Sequence, residues 1–260
     1  MTRYDGPDAA IFDLDGVITF TARVHAAVWK ELFDTYMSER ERRFHEPFRE
    51  FDPDADYRAY VDGKPRYDGV AAFLASRGIH LERGTPADAP DRETICGLGN
   101  RKNLLFGARV QELGIDVDQD AVHLIRELRE SGVHVGLASS SKNAVSILRG
   151  VGLLDVFEAI VDGFVSEHSG LRGKPEPDIF LTCLRAMDGS LDPKRAMVVE
   201  DAIAGVQAGA AGGFGLVLGV DRGNDTEELL EHGANWVIRS FREIDAQKLT
   251  NYFRLRGGVV

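Results

Sequence analysis

Between residues 117 and 240 the chain alternates short apolar runs with amphipathic segments at a regular spacing. In "DAVHLIRELRESG", Val122, Ile125 and Leu128 recur at helical spacing, and Gly132 falls where a helix end favours glycine. "VHVGLA" (133–138) is an apolar run of strand length, and "KNAVSILRGVG" again has helical periodicity. The alternation continues with "AIVDGFV" as strand, "EPDIFLTCLRAM" as helix, "AMVVE" (196–200) as strand and "AIAGVQAGAAG" as helix. "GLVLGV" and "ANWVIRS" complete it as strands, and "AIFDLD" supplies one more near the beginning of the chain. Continuous apolar strands separated by helices predict a parallel sheet covered on both faces.

Residues 21–116 break this rhythm. "RVHAAVWKELFDTYM" sets Val24, Val28, Leu32 and Tyr36 on one stripe, flanked by Trp29 and Phe33. "YDGVAAFLASRG" and "RETICGLGNRKNLLFGARVQEL" also have helical character, while the charged "SERERRFHEPFREFDPDADYRAY" reads as a solvated helix face or loop. The expected organisation is an α/β core formed by residues 1–20 and 117–260, interrupted by a helical insert over 21–116.

Chemistry concentrates at the predicted strand ends, where open parallel sheets place their ligands. The first strand runs into Asp13 and Asp15, and strand alternation would project both to one side. "VHVGLA" leads to Ser139, Ser140 and Ser141, followed by Lys142 and Asn143. "AMVVE" delivers Glu200 and Asp201, and Lys174 precedes a proline in "GKPEPD". So many carboxylates at one point require a cation, and oxygen ligands without a His or Cys cluster suit Mg²⁺. The hydroxyls and the lysine suit a phosphoryl group. An aspartate can serve as nucleophile through an aspartyl-phosphate, and a second one can protonate the leaving oxygen and later take a proton from the attacking one. Each residue also has a purely structural reading. Ser139 could cap a helix, and Glu200 and Asp201 could face a helix N-terminus.

Composition narrows the field. With 31 Lys and Arg against 42 Asp and Glu, the net charge is −11, which disfavours nucleic acid and anionic membranes as partners. "MTRYDGPDAA" lacks the apolar core of a signal peptide. The only two cysteines, Cys96 and Cys183, read as small buried residues rather than a disulfide framework. A cytoplasmic monomer acting on a small molecule is expected.

Four segments, "FDLDGVIT", "LASSSKN", "GKPEPDIF" and "VVEDAIAGVQAGAAGG", resemble in order the four motifs of the haloacid dehalogenase superfamily. Within it, "FDLDGVITFTARVHAAVWK", "LASSSKNA" and "GNRKN" are most similar to the β-phosphoglucomutase branch. The resemblance implies a Rossmann-like core with an inserted α-helical cap that closes to exclude water. It implies Asp13 as the nucleophile and Asp15 as the general acid–base. Mg²⁺ would be held by Asp13, the backbone carbonyl of Asp15, Glu200 and Asp201, and the transferring phosphate by Ser139 and Lys174. A second phosphate would fall to Arg66, Ser141, Lys142 and Asn143. His25 and Lys102 match cap positions that set the posture of the acid–base, and Thr21 matches a hinge position. The expected reaction is β-glucose 1-phosphate to glucose 6-phosphate through a 1,6-bisphosphate. The alternative is a phosphatase of a sugar phosphate or similar monoester, and a silent binding protein would have no need of Asp15. The chain departs from the family pattern at Phe20, where an acidic residue is usual. It departs again in the longer "SEHSGLRGKPEPD" and in the size of the insert.

Overall fold

A computed structural model describes residues 5–223 and 225–257. The chain divides into two compact units, one formed by the residues up to Phe20 together with those from Asp116 onward, the other by Thr21–Ile115.

The first unit is built on a six-stranded sheet. Its strands are β1 (Ala9–Phe12), β2 (His134–Ala138), β3 (Ala159–Val161), β4 (Ala196–Glu200), β5 (Leu216–Val220) and β6 (Trp236–Ile238). The order across the sheet is β3-β2-β1-β4-β5-β6 and every pairing is parallel. The chain therefore winds outward from β1 in one direction and returns to continue from β4 in the other. The reversal lies between β1 and β4, where doubly wound sheets open a crevice beyond their strand ends. Ala9, Ala10, Ile11 and Phe12 are wholly buried, as a central strand covered on both faces requires.

The helices that cover this sheet are numbered along the whole chain. α1 (Ala22–Phe44), α2 (Arg66–Ser76) and α3 (Ile95–Leu113) belong to the second unit. The first unit holds α4 (Gln119–Glu130), α5 (Ala144–Gly150), α6 (Gly163–His168), α7 (Asp178–Met187), α8 (Ile203–Ala211), α9 (Thr226–Glu231) and α10 (Ala246–Gly257). Val122, Ile125 and Leu128 face inward on α4, and the chain leaves that helix through Gly132 at φ 84°. The core between sheet and helices includes Ile11, Val198, Val206, Val217, Phe180 and Cys183. Both cysteines are buried and neither is in a disulfide, and burial pushes the Cys183 thiol up to about 12, so it packs as an apolar group.

One expectation changes, and one is resolved into its two parts. "AIVDGFV" is not strand throughout: β3 stops at Val161 because the Asp162 side chain accepts from the amides of Phe164 and Val165, which starts α6. The charged stretch after Met37 is helical as far as Phe44, and α1 ends at His45 with φ 57°. From there the chain is irregular until a single π-turn over Tyr57–Val61.

The second unit is helical, with an aromatic core. Phe33 stacks on Phe73 at 3.9 Å and lies 5.2 Å from Trp29, with Phe51 5.4 Å away. Val28, Leu32 and Tyr36 of the expected stripe are buried, whereas Val24 is half-buried. Among the described residues, no helix is long and apolar enough to cross a membrane.

Candidate active site

Register alone brings the first residues of the site together. Phe12 pairs with Leu137 of β2 and Val199 of β4, so Asp13, one residue further, stands level with the last residues of both strands. The Asp13 amide donates to the Val199 carbonyl at 3.0 Å, which extends the ladder by that one residue. Beyond it the chain turns. Leu14 accepts from the amides of Ile18 and Thr19 at 2.9 and 3.0 Å, and Asp15 forms an isolated bridge with Thr19. Strand alternation thus positions Asp13 but not Asp15, which depends on the turn.

Carboxylate oxygens of Asp13, Glu200 and Asp201 all lie within 4.8 Å of one another, and the Asp15 carboxylate is not one of these three. Glu200 ends β4, and its Oε1 accepts from the amides of Asp201 and Ala202 at 3.2 and 3.1 Å. Two glycines make room for this cluster. A Cβ at Gly205, in the first turn of α8, would overlap the Glu200 carboxylate, and one at Gly16 (φ +82°) would overlap that of Asp201.

Lys174 enters the cluster from the loop before α7, through a cis peptide to Pro175. Its Nζ donates to Asp13 Oδ1 and to Glu200 Oε2, both at 2.6 Å, and it lies 4.9 Å from the centre of the Phe180 ring. Burial pushes the Asp13 carboxyl up to about 8; Lys174 opposes this, while Glu200 and Asp15 reinforce it. For Lys174 burial works against the charge, but Asp13 and Glu200 outweigh it and hold the ammonium above its ordinary range. A buried group this rich in carboxylates and served by one ammonium is short of positive charge. An oxygen-only donor set with that deficit fits a hard divalent cation.

The loop after β2 supplies the polar neighbours. Ser139 is buried, and its Oγ accepts from the Ser141 amide at 3.1 Å. It does not cap α5, whose N-terminus begins at Asn143. Ser141 Oγ accepts from the Asn143 amide at 3.2 Å, and its carbonyl accepts from Gly163 at 3.1 Å. The Lys142 ammonium pairs with Glu167 of α6 at 2.7 Å and lies 5.3 Å from the centre of the Phe164 ring.

Arg66, His25 and Lys102 lie in the second unit. Arg66 opens α2, with its guanidinium 5.9 Å from the centre of the Tyr67 ring. Lys102 is buried on α3, with its Nζ 2.7 Å from His25 Nδ1 and about equally distant from the Trp29 and Phe106 rings, at 5.0 and 4.9 Å. Thr21 is buried at the start of α1, where its carbonyl accepts from the His25 amide at 2.8 Å.

Sequence reasoning missed Arg222, two residues beyond β5. Its side chain reaches Gly16, Val17 and Asp118. The strand-end rule that singled out Glu200, applied to "GLVLGV", would have pointed to it.

A parallel sheet reversing beside a strand-end aspartate, with a lysine and two further acids closing on it, defines an α/β protein with a carboxylate-rich site beyond its strand ends. The chain belongs to the haloacid dehalogenase-like hydrolase family, whose model matches residues 7–213. It is 40% identical over 239 residues to a β-phosphoglucomutase of Mycobacterium bovis, spanning 91% of this chain and 90% of that one. A β-phosphoglucomutase of Bacillus subtilis is 32% identical over 242 residues, 93% of each chain. The crystal structure of a β-phosphoglucomutase from Clostridium difficile superposes with a TM-score of 0.75 at 24% identity, covering 96% of this chain and 98% of that one. The architecture is accordingly a Rossmann-like parallel core carrying an inserted α-helical cap domain.

Proposed function

We propose that the protein is a Mg²⁺-dependent phosphomutase that converts β-glucose 1-phosphate to glucose 6-phosphate through an aspartyl-phosphate and a 1,6-bisphosphate. The observation that carries this reading is Asp13: it directly follows the central strand, takes a hydrogen bond from Lys174 and shares a 4.8 Å cluster with Glu200 and Asp201. The 40% identity to a β-phosphoglucomutase over nine-tenths of both chains supports the choice of sugar phosphate.

In one transfer an oxygen of Asp13 attacks the C1 phosphorus of the 1,6-bisphosphate, the bond from phosphorus to the sugar oxygen breaks, and Asp15 gives its proton to that oxygen, which leaves as part of glucose 6-phosphate. In the other, the C6 hydroxyl of β-glucose 1-phosphate attacks the aspartyl-phosphate while Asp15 takes its proton, which forms the 1,6-bisphosphate and regenerates the Asp13 carboxylate. Lys174 and the Ser139 hydroxyl bind oxygens of the transferring phosphate. Asp13, the Asp15 carbonyl, Glu200 and Asp201 would hold Mg²⁺, which would supply positive charge against the phosphoryl oxygens and the carboxylates. Ser141, Lys142 and Asn143 take the phosphate that is not being transferred, the ligand that the resemblance also assigns to Arg66. The resemblance assigns His25 and Lys102 a supporting role for the acid–base.

The test is incubation with β-glucose 1-phosphate, Mg²⁺ and a trace of β-glucose 1,6-bisphosphate. Glucose 6-phosphate is the expected product, and Asp13→Asn abolishes its formation. Release of inorganic phosphate without glucose 6-phosphate would make the protein a phosphatase using the same core residues.

A further inference from the structure

We propose that Arg222 is a positioning residue for Asp15, acting through the turn in which Asp15 sits; the proposal rests on Asp15 being the acid–base. The turn has its own internal bonds. Besides the amides of Ile18 and Thr19, the Thr19 hydroxyl donates to the Leu14 carbonyl at 3.1 Å, and the Gly16 amide donates to the Thr19 carbonyl at 2.7 Å. These bonds leave the carbonyls of Gly16 and Val17, immediately after Asp15, to be satisfied from outside the turn. Arg222 does this: its Nε donates to the Gly16 carbonyl at 2.7 Å and its Nη2 to the Val17 carbonyl at 3.3 Å.

The guanidinium is itself held. Its Nη2 donates to Asp118 Oδ2 at 2.8 Å, while Asp118 Oδ1 caps α4 by accepting from the amides of Asp120 and Ala121. The Phe20 ring centre lies 4.9 Å from the guanidinium carbon and that of Phe241 5.8 Å, so the charge lies against two aromatic rings. The departure of Arg222 from β5 is fixed by Asp221, a buried carboxylate that accepts from the amides of Gly223 and Asp225 at 3.0 and 2.9 Å. A planar fork with this many fixed partners sets backbone positions in a way a flexible ammonium does not. With strand pairing ended at Asp13, the direction in which Asp15 presents its carboxyl group depends on this clamp.

Misplacing the acid–base by a fraction of an ångström slows only those transfers in which a proton must reach the leaving oxygen. The test measures the single-turnover rate of the first transfer on two donors, β-glucose 1,6-bisphosphate and p-nitrophenyl phosphate. The sugar alkoxide needs a proton to leave and the nitrophenolate does not. Asp15→Asn serves as the reference.

Arg222→Ala is expected to slow transfer from the bisphosphate roughly 10- to 100-fold and transfer from the aryl ester less than about threefold. Arg222→Lys, which keeps the charge without the fork, is expected to show the same selectivity at smaller amplitude. It also decides the matter should the alanine variant fail to fold. Equal losses on both donors, or none on either, would overturn the proposal if Asp15→Asn is selective. Equal losses in Asp15→Asn itself would instead remove the acid–base reading, and the role of Arg222 with it.

Discussion

The Lys174 ammonium stands 2.6 Å from Asp13 Oδ1 and 2.6 Å from Glu200 Oε2, and all three side chains are at least nine-tenths buried. Lys174→Met, which keeps volume and removes charge, leaves these carboxylates without their ammonium. Breaking a buried ion pair from one side costs about 3–5 kcal/mol, so the metal-free variant should unfold at markedly lower temperature. Mg²⁺ should restore much of that loss, because a cation that binds only the folded state at ~100 times its dissociation constant adds about 2.7 kcal/mol. Thermal unfolding of both proteins with EDTA and with Mg²⁺ checks this, and a variant that gains no more than the wild type would contradict it.

Gly205→Ala places a methyl group where the Glu200 carboxylate now lies. The carboxylate must swing away from Asp13 and Asp201. Metal affinity is expected to fall about 10- to 100-fold, the range seen when groups that orient a ligand are lost. Titration calorimetry with Mn²⁺ measures it, and unchanged affinity would show that Glu200 is not a ligand.

Arg66→Ala tests the second-phosphate reading. Transfer from β-glucose 1,6-bisphosphate should weaken, mainly through KM, since a charge-assisted contact to phosphate contributes about 1.5–3 kcal/mol. A monoester without a distal phosphate should be turned over as before. Parallel losses on both substrates would make Arg66 a structural residue of α2.

Acidification should act on the helical unit through Asp88. This buried carboxylate accepts from the hydroxyls of Thr94 and Thr85 and pairs with Arg92, while Thr94 in turn caps α3 by accepting from the Gly97 amide. The hydrogen bond from Thr94, against some opposition from burial, holds the Asp88 carboxyl below its ordinary range. A depressed carboxylate stabilises the fold fully above its unfolded pKa of ~3.9 and loses that contribution as pH falls through the folded value. Asp88→Ala should therefore lower the unfolding temperature at neutral pH, with a gap from wild type that narrows in acid. A gap independent of pH would assign the effect to packing.

The sheet was legible because its signals are local. "AIFDLD", "VHVGLA" and "AMVVE" are apolar runs too short for helices, and each ends in a polar cluster. Parallel pairing then turns those ends into neighbours, which is why Asp13, Ser139 and Glu200 could be placed together at one end of the sheet. What failed had competing local signals. The apolar letters after Asp162 resembled a longer β3, yet a side-chain cap redirected them into α6. Asp15 shares the alternation of Asp13 on paper, but the bonds to Leu14 had already turned the chain. The partnership of Lys142 with Glu167 and the reach of Arg222 to Gly16 connect residues 25 and 206 positions apart. Spacing along one sequence carries no trace of such contacts.

The two points where the chain leaves and re-enters the first unit lie side by side. The Phe20 amide donates to the Asp116 carbonyl at 2.9 Å, that of Asp118 to Ile18 at 2.8 Å, and Thr19 bridges Val117 in antiparallel fashion. For the sheet, the 95 residues from Thr21 to Ile115 amount to one surface loop whose ends already meet. Lengthening or exchanging such a loop costs little entropy and moves no strand. The inserted helices can therefore diversify almost as an accessory, while the chemistry at the strand ends stays fixed.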